Sequence, residues 1–431
     1  MQSIHVSSNR RFLITADGRP FFWLADTAWE LFHRCTLSEV EIYLENRRQK
    51  HFNVILAVAL AELDGLRDPN PNGDVPFIDL DPGQPNEAYF RHVDAIVAMA
   101  AAKGLYIGLL PTWGDKVVQM SWGKGPVVFG PESAYRYGKW IGARYSSADN
   151  ILWVNGGDRP EPAEGTSYTE VWRALARGVR EGVGGHVFMT YHPNGGHGSS
   201  ETFHDEDWLD MNMWQSGHSR LDAPNWQMIT DDYQRIPTKP VLDGEPNYED
   251  HGINPFVRPW DPSRGYFRDH DVRKQAYRAV FAGACGHTYG HHSIWQMFTP
   301  GRESVNFPDR SWLEALDRPG AEQIGHLRRL IESRPYLDRI PDQGLLASGE
   351  GTGSHHIRAT RADDGSYAMI YIPGGWDRID VNTQLLSSDH IQALWFDPRS
   401  GTTSGAGTVE KTKSATIIVP SADDDWVLIL Q

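Results

Sequence analysis

The chain has 431 residues, with 41 Lys and Arg against 56 Asp and Glu, a formal charge of −15. This balance supplies no basic face for a polyphosphate and argues against nucleic acid as a partner, and no run approaches the roughly 20 apolar residues of a membrane-spanning helix. Only Cys35 and Cys285 are present, which excludes a disulfide framework and a zinc site of paired cysteines.

Residues 1–20 lack the apolar stretch of a signal peptide, so the expected location is the cytoplasm. Eight short apolar runs then follow in order: Phe21–Asp26, Asn53–Leu60, Tyr106–Trp113, Ile151–Asp158, Val187–Pro193, Asp210–Ser216, Pro240–Pro246 and His287–Trp295. Between them, Ser38–His51, Ala88–Lys103, Pro131–Tyr145, Tyr168–Gly182 and Arg273–Ala284 place apolar residues at three-to-four spacing, the pattern of amphipathic helices. The link between the sixth and seventh runs is the weakest helix. Eight alternations over about 300 residues predict a closed (β/α)8 TIM barrel rather than an open sheet. Beyond Arg334-Pro335 the pattern changes to short alternating runs with Gly, Asp, Ser and Thr between them. They predict a small antiparallel β-sandwich, joined by the N-terminal strands Ile4–Ser8 and Arg11–Thr15. The domains expected are thus 1–340 and 341–431.

Catalytic groups of such a barrel stand at the C-terminal ends of the strands, and there the sequence is unusually polar. Two carboxylates occupy those ends, Asp158 after the fourth run and Glu245 after the seventh. Glycosidic hydrolysis needs one carboxylic acid to protonate the leaving oxygen and one carboxylate to attack or to activate water. Strands four and seven lie across the barrel mouth from one another, so the pair can flank a sugar. The ordinary alternatives are an N-cap or ion pair with Arg159 for Asp158, and a rim salt bridge for Glu245. Asp243, two residues before Glu245, reads as a hydrogen-bonded interior residue on the same strand face.

Asp26, Trp29, Trp113, Asn155, Tyr191, His192, Trp214, Gln215, His291 and Trp295 are expected to bind the carbohydrate. The polar members would hold hydroxyls and the indoles would stack on sugar faces, although sixteen tryptophans can equally be large core residues. Rings crowded around a small volume suit one terminal sugar and exo action, with an endo-glycanase as the alternative. A metal centre of His192, His197, His287, His291 and His292 with Asp243 or Asp26 is disfavoured. The first run has no His-x-His pair, and the adjacent His291 and His292 would face opposite ways on a strand. No metal and no cofactor are expected.

Several segments, Phe21-Phe22-Trp23-Leu24-Ala25-Asp26-Thr27-Ala28-Trp29, Trp153-Val154-Asn155-Gly156-Gly157-Asp158-Arg159, Met189-Thr190-Tyr191-His192-Pro193, Trp214-Gln215-Ser216-Gly217-His218 and Asp243-Gly244-Glu245-Pro246, occur in order along the chain. With Trp395-Phe396-Asp397-Pro398 in the tail, they make a chain that resembles the apiosidase-like glycoside hydrolases, family 140, a barrel followed by a β domain labelled collagen-binding. The resemblance implies Asp158 as acid/base, Glu245 as nucleophile, and apiose or another small terminal sugar as the group released, with retention. Retention in turn requires carboxyl groups about 5–5.5 Å apart. A non-catalytic carbohydrate-binding barrel is the competing function, and the intact carboxylate pair speaks against it. For the tail, a module that packs on and stabilises the barrel is favoured over collagen binding.

Overall fold

The computed structural model describes residues 1–431. Strands β1 (Ile4–Val6), β2 (Leu13–Thr15) and β3 (Pro20–Phe21) form an antiparallel sheet of their own. The expectation that they join the C-terminal sheet is corrected. Ile4, Phe12, Leu13 and Phe21 nevertheless belong to one core with Trp23 and Tyr106, at the amino ends of barrel strands, and with Met369, Tyr371 and Val427 of the C-terminal domain, because that end of the barrel would otherwise expose apolar side chains to water.

The barrel strands are β4 (Trp23–Thr27), β5 (Val54–Val58), β6 (Tyr106–Leu110), β7 (Ile151–Gly156) and β8 (Met189–His192). A short β9 (His197–Gly198) precedes β10 (Asn212–Gln215), β11 (Val241–Asp243) and β12 (Gly286–Tyr289). β12, β4, β5, β6, β7 and β8 pair in parallel order, as do β10 and β11. The bridge of Thr190 to Met211 joins β8 to β10, and the Cys285 amide donates to the Val241 carbonyl at 3.0 Å to close β11 on β12. The fold class is that expected, an eight-stranded (β/α) barrel. Nearly every strand residue is buried, since helices cover one face and the barrel core the other.

Helices Leu37–Gln49, Glu87–Ala102, Pro131–Arg144, Thr169–Val183, Asn225–Tyr233 and Asp269–Phe281 cover the strands. The first is fixed at its start by a capping box of Thr36 and Glu39. A further helix, Pro319–Glu332, packs against Asp269–Phe281 and is not among those read from the sequence. Gly325 is needed for closeness: a Cβ there would stand 2.4 Å from the Lys50 carbonyl.

Beyond the barrel come β13 (Arg339–Pro341), β14 (Arg358–Ala362), β15 (Ala368–Ile372), β16 (Arg378–Val381), β17 (His390–Asp397), β18 (Thr402–Glu410), β19 (Ala415–Ile418) and β20 (Trp426–Leu430). Six form one sheet in the order β13-β14-β15-β20-β17-β18, and β16 pairs with β19. One face of the large sheet carries its own core, including Ile370, Ile379 and Leu428, and the other adds Met369, Tyr371, Val427 and Ile429 to the barrel's core. At this junction Arg273 holds Asp425 through bonds of 2.9 and 2.6 Å, and the Tyr371 hydroxyl donates to the same carboxylate at 3.0 Å. Arg339 donates to the Val280 and Ala284 carbonyls at 2.6 and 2.9 Å.

Asp425→Ala would strand the buried guanidinium of Arg273, which keeps Gln323, Asp269 and a long contact to His270 but loses its bidentate carboxylate. We expect a loss of about 3–5 kcal/mol, checked by denaturant unfolding with both domains losing stability together. If the barrel kept its full stability, the two units would be energetically independent.

Candidate active site

Lateral register decides which strand residues look into the barrel, because paired residues in neighbouring strands project from the same face. Ala25 pairs with Val54, Leu56 with Gly108, Val154 with Thr190, Gly156 with His192 and Met213 with Leu242, and these face inward. Asp26 pairs with Ile55, Asn155 with Tyr191 and Trp214 with Asp243, and these face the helices.

Glu245 follows β11 through Gly244, where a Cβ would collide with Met213 Sδ at 2.5 Å. Its carboxylate accepts from His218 Nε2 at 3.0 Å, while His192 Nε2 stands 3.0 Å from the other oxygen as an ionic contact off the hydrogen-bond line. The Glu245 carbonyl accepts from the Gly217 amide at 3.0 Å, and the Asn247 side chain donates to the Gly217 carbonyl at 2.6 Å, so the loop bearing His218 is held from both sides. The His218 ring lies between Tyr248 and His251, with centroids 4.4 and 4.3 Å away. Burial by itself would raise the Glu245 pKa, but the two imidazoles outweigh it and hold the carboxyl below the usual glutamate range.

Asp158 ends a tight segment. Gly156 has φ +89° and a Cβ there would meet the His192 carbonyl at 2.2 Å; Gly157 has φ +124° and would meet the Gly114 amide and the Trp113 ring, each at 2.8 Å. Asp158 itself takes φ +46°, a region that aspartate tolerates better than most residues and that clusters at functional sites. Its pKa is raised, first by burial and then by the negative charge of Glu245, against the opposing effects of Arg159 and His192. The Gln215 amide faces the same carboxyl. Gly157→Ala should misplace Asp158, cutting kcat by up to about 10²-fold with the fold retained by circular dichroism.

Trp29 and Trp113 stand beside His192: their rings are 5.0 Å apart, and each approaches the His192 ring, at 5.3 and 5.7 Å. Of the residues expected to bind sugar, the structure therefore brings Trp29, Trp113, His192 and Gln215 together with Asp158 and Glu245. It does not bring the others. Asp26 is corrected to a wall residue, its carboxylate accepting from the Tyr43 hydroxyl at 2.6 Å and Arg47 Nε at 2.5 Å in the helix layer. Asn155 approaches Met189 Sδ at 3.4 Å, and Tyr191 packs on Trp172 and Phe203. Trp214 donates to Asp232 at 2.8 Å on the helix Asn225–Tyr233. All four face outward for one reason, the alternation of strand side chains. Asp243 shares that face, with Ser216 and Asn225 bonds of 2.8 and 3.0 Å, so its expected alignment with Glu245 is also corrected.

His291 caps the turn His292–Trp295 by accepting from the Ser293 amide at 3.0 Å, and its other nitrogen is 3.2 Å from Asp250. Trp295 donates to His292 Nδ1 at 3.3 Å. Both are structural, and no cluster of three or more metal-binding side chains is formed. His218 and Tyr248 were not picked out by sequence as binding or catalytic residues. The signal for His218 was its place just after a strand end, in Trp-Gln-Ser-Gly-His.

Residues 7–338 match the family model described as "Apiosidase-like, catalytic domain", and residues 340–431 match one named after a collagen-binding domain of a collagenase. No curated protein sequence matches the chain. Among solved structures, the chain is 32% identical to a family 5 glycoside hydrolase from Bacteroides vulgatus, covering 99% of this chain and 92% of that one, with a TM-score of 0.90. It is also 32% identical to a structure named glycoside hydrolase, with 100% and 96% covered and a TM-score of 0.89. A family 39 glycoside hydrolase from Bacteroides cellulosilyticus, at 12% identity, 94% and 80% coverage and a TM-score of 0.57, shares the fold alone. No helix is long and apolar enough to cross a membrane.

Proposed function

The chain belongs to the apiosidase-like family of glycoside hydrolases, and from that premise we propose that it releases a terminal sugar with retention of configuration, Glu245 acting as nucleophile and Asp158 as acid/base. The observation that carries this reading is the opposite displacement of two carboxyls that sense each other's charge: Glu245 is held ionised by His192 and His218, while burial and Glu245 favour the protonated form of Asp158. A nucleophile must be an anion and an acid must hold its proton near neutral pH, so the environments divide the roles.

In the first step Glu245 attacks the anomeric carbon as Asp158 gives its proton to the departing oxygen. Forming the ester removes the Glu245 charge, which lowers the Asp158 pKa and readies it to take a proton from water in the second step. The rings of Trp29, Trp113 and His192 crowd together beside the carboxylate pair, which supports exo action on one terminal sugar. Apiose is the sugar this reading names, from a plant-derived oligosaccharide or glycoside, and family 140 is its numbered class on the sequence motifs.

The test is a panel of aryl furanosides and pyranosides: one sugar should be turned over by the native enzyme. The rate should rise with pH through the lowered pKa of Glu245 and fall through the raised pKa of Asp158, giving a bell. A chelator should leave the profile unchanged; a strict requirement for an added divalent metal would overturn the two-carboxylate mechanism.

A further inference from the structure

This inference rests on Asp158 as the acid: beside it stands a second cluster that supplies neither the acid nor the nucleophile. Arg159, 1% exposed, places one guanidinium nitrogen 3.5 Å from the Asp158 carboxylate and another 3.5 Å from Glu62. That second nitrogen also donates to the Trp122 carbonyl at 3.2 Å, and the guanidinium carbon lies 5.2 Å from the centre of the Trp122 ring. Arg159 Nε is buried without a partner. The indole of Trp122 is 44% exposed, whereas most tryptophans here are buried. We propose that Trp122, Arg159 and Glu62 form the leaving-group subsite, and that the group they receive is a second sugar.

The departing oxygen must touch Asp158, so the leaving group has to lie among the side chains within one ring's length of that carboxyl. Beside that carboxyl, Arg159 gathers the partly exposed Trp122 indole and the Glu62 carboxyl, and an indole, a guanidinium and a carboxyl are the means by which proteins hold the C–H face and the hydroxyls of a sugar. Burial raises Glu62 to about 8, so at neutral pH it can donate to one hydroxyl and accept from its neighbour. The platform is also preorganised. The Asp115 carboxylate accepts from the Lys124 and Gly125 amides at 3.1 and 2.9 Å, pinning the loop that carries Trp122, and Gly123 lies so close to Arg159 that a Cβ would stand 2.1 Å from it. A competing location is a cleft of about 180 Å³ that Arg159 also lines, away from Trp122 and Glu62, with Pro160, Asn194, His197 and Glu201 on its walls.

In a retaining enzyme, a sugar held in the leaving-group subsite can intercept the glycosyl-enzyme in place of water, so occupancy of the subsite is read as transfer product. With the aryl glycoside identified by the panel, D-xylose, D-galactose and L-rhamnose are added in turn, and transfer product is measured against hydrolysis by chromatography. The native enzyme should transfer to at least one of them. Trp122→Ala and Glu62→Ala should each lower the transfer-to-hydrolysis ratio by about tenfold or more, the effect of losing one good contact, with Trp122→Phe intermediate. His197→Ala, in the competing cleft, should change the ratio by less than about twofold. Transfer to none of the sugars, a ratio unmoved by the Trp122 and Glu62 variants, or a ratio that collapses with His197→Ala would overturn the subsite. Hydrolysis of the aryl glycoside with retention would in each case leave the glycosidase reading standing.

Discussion

Glu245→Gln should lower turnover by more than about 10⁴-fold on every substrate, activated or not, the scale of loss when the nucleophile of a covalent mechanism is removed. The amide keeps the side-chain volume and can still accept from one imidazole, so His192 and His218 retain an acceptor between them and the fold should survive. What disappears is the charge. Leaving-group quality cannot compensate, because the bond to the anomeric carbon never forms. The same substitution removes the negative neighbour that helps raise Asp158, so the Asp158 pKa should fall in the variant, a shift readable by carboxyl NMR titration. Turnover within tenfold of native on an aryl glycoside would show that Glu245 is not the nucleophile.

Asp158→Asn should split substrates by their leaving groups. Natural glycosides with poor leaving groups should lose about 10²–10⁴-fold, the ordinary contribution of a general acid, while phenolates that depart unprotonated should form the glycosyl-enzyme at close to the native rate. Deglycosylation then lacks its base, so azide, which attacks without one, should restore part of the turnover. The alkaline limb of the bell should vanish, since that limb is the titration of Asp158 from its raised pKa. Equal losses on good and poor leaving groups would remove the acid assignment.

The barrel was legible because its alternation is strong. Runs such as Val54–Val58 and Ile151–Gly156 are apolar on both faces, separated by helices with ordinary caps and amphipathic faces. That same apolarity on both faces hides the inward parity, and it is why Asp26, Asn155, Tyr191 and Trp214 read as mouth residues although they face the helices. Only the pairing of Gly156 with His192 and of Asp26 with Ile55 reveals the difference, and register is a property of neighbouring strands rather than of one. Asp158 and Glu245 escaped the problem because both lie just past their strands, on glycine-bearing segments where parity no longer applies.

In the tail, β18 carries no strand signature in the sequence, because its Thr402–Glu410 segment is polar and largely exposed, without the alternation that marks half-buried strands. The joint of Arg273 with Asp425 spans 152 positions and has no local signature at all. Charged pairs of this kind become visible only when the two domains meet.

The most direct test of the account is to trap the glycosyl-enzyme. The 2-deoxy-2-fluoro analogue of the aryl glycoside that the enzyme turns over destabilises the oxocarbenium-like transition states, and with a good leaving group it allows the ester to accumulate. After proteolysis, mass spectrometry should place the fluoroglycosyl group on the peptide containing Glu245, with fragmentation assigning it to that side chain. Labelling of any other carboxylate, or no adduct together with an inverted first product by NMR, would contradict a retaining mechanism through Glu245.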